Sequence, residues 1–111
     1  MTRTPRSKYR NVPTVVDGKR FASKKEGRRY AQLLLMLKAG EIDDLECHPV
    51  YHLDVNGTRV GKYTADFRYK DKRYDWAVIV EDVKSSASRT TAYMLRKRLV
   101  KAIHGVTIKE T

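Results

Sequence analysis

The sequence predicts one α/β domain: a core of helix, three strands, helix and strand (αβββαβ), with a central mixed sheet flanked by two helices and a small hairpin in front. Three observations carry that prediction. Tyr30, Leu33, Leu34 and Leu37 recur at helical spacing between a cap signal at Ser23 and a stop at Gly40. Ala77 to Val80 is apolar without alternation, the pattern of a strand covered on both faces. Between them, Asn56-Gly57 separates two alternating runs, a strong short-range hairpin signal.

The length of 111 residues suits one domain with a modest core. Residues 1–12, with Arg3, Arg6, Lys8 and Arg10 and few apolar groups, read as a basic flexible arm, and 13–111 as the single folded domain. Lys and Arg total 24 against 13 acids, a net charge of +11. That excess favours a polyanionic partner, nucleic acid before an anionic membrane surface. The apolar run Leu33 to Leu37, which no other run exceeds, falls far short of the ~20 residues that cross a bilayer. No apolar segment follows the basic N-terminus, so a secretory signal is not expected. The single cysteine, Cys47, excludes an intrachain disulfide and fits a reducing compartment such as the cytoplasm.

Taken in order, Thr14 to Phe21 reads as a small hairpin turning at Asp17-Gly18. Ser23-Lys24-Lys25-Glu26 has the form of a capping box and opens a helix that runs to about Ala39. Glu26 has two readings: a cap residue, or a carboxylate that the helix aims at the sheet edge, since it lies one turn before Tyr30 on the buried stripe. Glu41 to Glu46 is expected to be a short acidic connection with Ile42 and Leu45 tucked inward, facing away from nucleic acid. His48 to Val55 is the first expected strand, and about Arg59 to Lys70 the second, with Tyr63, Ala65, Phe67 and Tyr69 on one face and Thr64, Asp66 and Arg68 on the other. A turn near Arg73-Tyr74-Asp75 leads to the third. Ser85 to Thr91 is a polar loop. A second helix runs from about Thr91 to Ile103, with Ala92, Leu95, Leu99 and Ala102 inward and Gly105 as its stop. Val106 to Ile108 suits a short edge strand.

The chemistry is concentrated where the third strand ends, at Val80-Glu81-Asp82-Val83-Lys84. A covered strand that ends in charge needs a use for that charge, because unpaired buried charge is costly. Alternation puts Asp82 and Lys84 on one face and Glu81 on the other. If Asp66 faces Asp82 in an antiparallel pair, the hairpin centre falls at Tyr74, where the polar turn lies, and Thr64 faces Lys84. Asp66, Asp82 and Lys84 then share a face. Such carboxylates, with Glu26 and the Val83 carbonyl, suit a Mg²⁺ ion, which takes oxygen ligands and keeps several waters. Lys84 beside it could orient a water or stabilise developing negative charge.

This ordered set resembles the PD-(D/E)XK nuclease superfamily: a carboxylate on the first helix, an aspartate on the second core strand, and Asp-x-Lys on the third. Asp17-Gly18, Phe21, Ser23, Glu26, Gly40-Glu41-Ile42, Ala65-Asp66-Phe67, Glu81-Asp82-Val83-Lys84 and the basic second helix are similar to a family of small phage- and prophage-encoded nucleases, themselves similar to archaeal-type Holliday-junction resolvases. The resemblance implies a restriction-endonuclease-like core and a Mg²⁺-dependent endodeoxyribonuclease, with Mn²⁺ as a substitute ion. It implies Asp66 and Asp82 as metal-binding acids, Lys84 as the catalytic lysine and Glu26 as the first-helix glutamate. Branched DNA is the implied substrate and a homodimer the implied assembly. Three departures stand out: Ala65 occupies a position that is often proline, Asp82 one that is more commonly glutamate, with Glu81 beside it and strand alternation favouring Asp82, and Ser85 one that is often glycine.

Contacts to DNA are expected from Arg3, Arg6, Lys8 and Arg10, from Lys24 and Lys25, and from Ser85, Arg89, Arg96, Lys97 and Arg98, since Lys84 to His104 carries six basic residues and no acid. A non-catalytic basic nucleic-acid-binding protein is the competing reading, which leaves Asp66 and Asp82 without a purpose. Cys47 and His48 are adjacent rather than at chelating spacing, so no structural zinc site is expected. His48, His52 and His104 read as structural or surface residues.

Overall fold

Ser23 caps the first long helix as the sequence predicts. The computed structural model describes residues 13–85 and 88–111, so Arg3, Arg6, Lys8 and Arg10 of the expected arm lie outside the described residues. Strands β1 (Thr14–Val16) and β2 (Lys19–Phe21) form the small hairpin around Asp17-Gly18. Helix α1 follows over Lys24–Lys38, its Glu26 N–H donating to Ser23 Oγ at 3.1 Å. Gly27 sits where the hairpin crosses the helix: a Cβ there would lie 2.4 Å from Thr14 Cγ2. The inner stripe of α1 buries Glu26, Gly27, Tyr30 and Leu33.

The central sheet is mixed, in the order β3 (Ile42–Cys47), β6 (Phe67–Asp71), β7 (Ala77–Asp82), β8 (Ile108–Glu110). The first three strands are antiparallel, and β8 runs parallel to β7. Helix α2 (Thr91–His104) makes the crossover between β7 and β8 and ends at Gly105 in the left-handed conformation. Two apolar clusters flank the sheet. Phe21, Tyr30, Leu33, Ile42, Phe67 and Tyr69 pack on the α1 side. Leu53, Tyr63, Ala65, Val80, Tyr93, Val100 and Ile108 pack on the α2 side. No helix among the described residues is long and apolar enough to cross a membrane.

The fold class is the predicted one, but its strands are assigned differently. The acidic stretch from Glu41 to Glu46 is not a connection: Ile42–Cys47 is the first core strand. A register shift between Asp43 and Glu46, with Asp44 at φ 52°, puts an extra residue between Ile42 and Leu45 and hides the alternation. Its acids face cations on β6, Lys70 Nζ 3.1 Å from Asp44 and Arg68 Nη2 2.6 Å from Glu46. The expected first strand is instead β4 (Val50–Val55), paired with β5 (Thr58–Thr64) in a separate ribbon inserted between β3 and β6. The single strand expected from Arg59 to Lys70 is thus two, broken at Ala65-Asp66. Alternation continues through the break, since Tyr63, Ala65, Phe67 and Tyr69 are all buried.

The register of β6 on β7 is the predicted one, with Phe67 opposite Glu81 and Asp71 opposite Ala77. It stops short of Thr64, which pairs with Val50 rather than Lys84. Ala77 and Val78 are exposed, so the two-sided cover reaches only the second half of β7, where Val80, Glu81 and Asp82 are buried. On α2 the buried residues are Tyr93 and Val100, with Leu99 and Ile103 packed beside them, whereas Ala92, Leu95 and Ala102 face outward. Packing on the inserted ribbon selects the stripe that carries the large Tyr93.

Candidate metal centre

Strand β7 turns from apolar to acidic as it passes beneath both helices, and its two terminal acids diverge. Glu81 faces the α1 side and is wholly buried. It accepts from Arg29 Nε at 2.6 Å, from Arg29 Nη2 at 3.0 Å and from the Tyr69 hydroxyl at 2.5 Å. Burial, with the Glu81 carboxylate adding to it, pushes the Tyr69 hydroxyl well above its ordinary range. Three donors on its two oxygens commit the Glu81 carboxylate to Arg29 and Tyr69, on the face of the sheet away from Asp82.

Asp82 faces the α2 side, accepting from the Tyr63 hydroxyl and, at 2.9 Å, from the Asp66 N–H. Asp66 in turn accepts the Val83 N–H at 2.7 Å. These reciprocal bonds lock the two aspartates together just past the last paired residues of β6 and β7. Glu26, in the first turn of α1, is 7% exposed, and its Oε1 lies 2.9 Å from His48 Nε2. Its carboxylate therefore serves the sheet end, while the Ser23 hydroxyl and the Glu26 N–H make the cap. Glu26, His48 and Asp66 each present one donor atom, all within 4.8 Å of one another, an arrangement that can hold a metal ion.

The electrostatics are those of a site short of positive charge. Burial, then the Glu26 charge, pushes the Asp66 carboxyl up to about 6, against the opposing pull of the Val83 N–H, Lys84 and His48. Burial likewise raises Asp82, opposed by Lys84 and the Asp66 N–H and assisted by Glu110 and Glu26. The Lys84 ammonium lies 4.2 Å from the centroid of the Tyr93 ring. Its backbone N–H donates to Thr111 O at 3.0 Å, and its carbonyl accepts from Lys25 Nζ at 2.6 Å.

Of the residues singled out in the sequence, Glu26, Asp66, Asp82 and Lys84 converge on one end of the sheet. Val83 joins them through its N–H. Lys24, Lys25 and Ser85 are exposed nearby in the chain, and Lys25 also lines a cleft of about 300 Å³ with Arg28, Arg29, Gln32, Val83 and Thr111. Arg96 and Arg98 are exposed on α2, whereas Arg89 and Lys97 are committed to Glu110 at 3.1 and 3.3 Å. The residue that sequence reasoning missed is His48. It joins Glu26 and Asp66 in the metal-capable group, where Asp82 was expected. No spacing motif links it to either acid, and its position depends on the hidden register of β3.

The family description "Protein of unknown function (DUF1064)" matches residues 6–108, and the chain belongs to that family. No curated protein and no solved structure matches the chain.

Proposed function

We propose that this DUF1064 protein is a divalent-metal-dependent DNA endonuclease selective for branched substrates, four-way junctions above all. The observation that supports the reading most is the convergence of three buried or half-buried acids and one lysine in a chain of net charge +11. A protein that only bound nucleic acid would weaken its grip by placing Asp66, Asp82 and Glu26 where a phosphate arrives.

Glu26, Asp66, Asp82 and the Val83 carbonyl are the groups that would hold Mg²⁺, with Mn²⁺ as a substitute. Such an ion supplies Lewis-acid polarisation of a phosphoryl oxygen and a more acidic water. The chain's own contribution is positioning. The locked Asp66–Asp82 pair fixes two carboxylates with little freedom to move. Lys84, held over Tyr93, offers a cation to the negative charge that grows on the phosphoryl oxygens. Hydrolysis joins a water oxygen to phosphorus and breaks one P–O ester bond, and the departing sugar oxygen takes up a proton. The exposed Lys24, Lys25 and Arg28 of α1 and Arg96, Arg98 and Lys101 of α2 supply contacts to the DNA backbone.

A four-way junction has approximate two-fold symmetry and needs paired incisions, so a C₂ homodimer would match it with two sites. The reading places the protein in the cytoplasm, where a lone thiol stays reduced. The test is a panel of labelled linear, flapped and four-way-junction DNAs incubated with Mg²⁺ or Mn²⁺, with light scattering on the protein–junction mixture. Paired cuts near the junction centre by a dimer are the expected result. Binding of every DNA without cleavage of any would leave only the nucleic-acid-binding alternative.

A further inference from the structure

His48 stands apart from the oxygen donors around it. It sits between β3 and β4 with φ 55°, a left-handed conformation uncommon for a residue other than glycine. Its backbone N–H donates to Asp66 O at 2.9 Å, and the next residue, Pro49, accepts the Ala65 N–H at 3.0 Å. The loop that carries His48 is therefore stitched to the strand segment that carries Asp66. Any movement of one carries the other.

The side chain reaches from that anchored backbone to Glu26 on a third element, with Nε2 2.9 Å from Oε1. Two cis ligands of an octahedral ion with bonds of about 2.1 Å are themselves about 3 Å apart. The Glu26–His48 separation therefore fits one edge of a coordination octahedron as well as it fits a hydrogen bond. Asp66 offers the third donor within the same 4.8 Å span. With 45% of its side chain exposed, His48 lies on the open side of the group, where an arriving ion would meet it.

We infer that His48 is a nitrogen ligand of the metal centre, and that it shifts the centre's preference from Mg²⁺ toward first-row transition ions. The inference rests on the nuclease reading and changes its metal chemistry. Mg²⁺ favours an all-oxygen shell, whereas imidazole adds more to the binding of transition ions. Two carboxylates and one imidazole make a mixed set, unlike the all-oxygen set of Glu26, Asp66, Asp82 and the Val83 carbonyl. In the alternative, His48 only donates a hydrogen bond to Glu26 and never touches the ion.

Electron spin-echo spectroscopy of the wild-type protein loaded with Mn²⁺ separates the two. A directly bound imidazole gives deep, contact-coupled ¹⁴N modulation, whereas a second-sphere histidine leaves at most a weak dipolar trace. His48→Asn is the companion variant, because asparagine tolerates positive φ and keeps the loop's backbone. The expected results are deep ¹⁴N modulation in the wild type, its loss in His48→Asn, and Mn²⁺ affinity that falls at least about tenfold while Mg²⁺ affinity changes less. Bound Mn²⁺ without deep ¹⁴N modulation would overturn the ligand role, as would deep modulation that survives in His48→Asn. In those cases Mg²⁺-dependent cleavage by the wild type would leave the nuclease reading standing. A protein that binds neither ion at millimolar concentration would overturn both.

Discussion

Asp66→Asn should make the protein more stable at neutral pH while removing its response to divalent metal. The Asp66 carboxyl is raised from 3.8 to about 6 in the folded chain, chiefly by burial and then by Glu26. Well below pH 3.8 both the folded and the unfolded states hold the proton, and the charge has no effect. As pH rises the unfolded carboxyl ionises first, so the native state loses stability between about 4 and 6 and regains none above that. A shift of about two pH units corresponds to roughly 3 kcal/mol. The amide that replaces the carboxylate keeps an oxygen for the Val83 N–H and carries no charge toward Glu26. At pH 7–8 without metal, the variant should therefore unfold about 10 °C higher, at roughly 4 °C per kcal/mol for a domain of this size. Thermal unfolding of both proteins in chelator across pH 4 to 8 is the assay. The two curves should approach one another toward pH 4, diverge up to about pH 6 and stay apart. Millimolar Mn²⁺ should raise the wild type alone. A variant less stable than the wild type at pH 8 would refute the reasoning, because the carboxylate would then be satisfied by Lys84 and not in need of an ion.

Three further outcomes follow from the same structure. Glu81→Gln removes the charge that faces Arg29 and should cost about 3 kcal/mol in denaturant unfolding, yet it should lower cleavage less than Asp82→Asn; the reverse ranking would mean that Glu81 is the metal-binding acid. Gly27→Ala should lose about 1–2 kcal/mol despite its better helix propensity, because the new methyl collides with Thr14 on the β1–β2 hairpin, and a gain in melting temperature would show that the hairpin does not bear on the helix. Deleting residues 1–10 removes Arg3, Arg6, Lys8 and Arg10 and should reduce the slope of log affinity against log salt for DNA by up to about 3–4; an unchanged slope would show that the arm makes no phosphate contact.

Where local chemistry and periodicity agree, the sequence was enough. Ser23 capped the helix, Asp17-Gly18 and Asn56-Gly57 marked their turns, and the register that sets Asp66 beside Asp82 followed from alternation about Tyr74. The opposite faces of Glu81 and Asp82 followed from the same period of two. What escaped was set by tertiary structure. The bulge at Asp44 broke the alternation of β3 and disguised a core strand as an acidic loop. The β5–β6 break at Ala65-Asp66 was invisible because buried side chains alternate straight through it. On α2, apolar residues cover more than one face, and only the inserted ribbon decides that Tyr93 rather than Leu95 turns inward. His48 was out of reach for a related reason: it approaches Glu26 and Asp66 only because β3, hidden in the sequence, delivers it there.

The central claim is that the sheet end holding Glu26, Asp66, Asp82 and Lys84 hydrolyses phosphodiesters. Its most direct test is single-turnover cleavage of a labelled four-way junction by the wild type, Asp82→Asn and Lys84→Ala, with DNA affinity measured for each in parallel. The account predicts metal-dependent cleavage by the wild type and none above background by Asp82→Asn, whose affinity for the junction stays equal or rises because an acid facing phosphate has gone. Lys84→Ala should bind and cut at a rate lower by at least about a hundredfold. Wild-type cleavage rates in Asp82→Asn, or cleavage that persists undiminished in chelator, would contradict it.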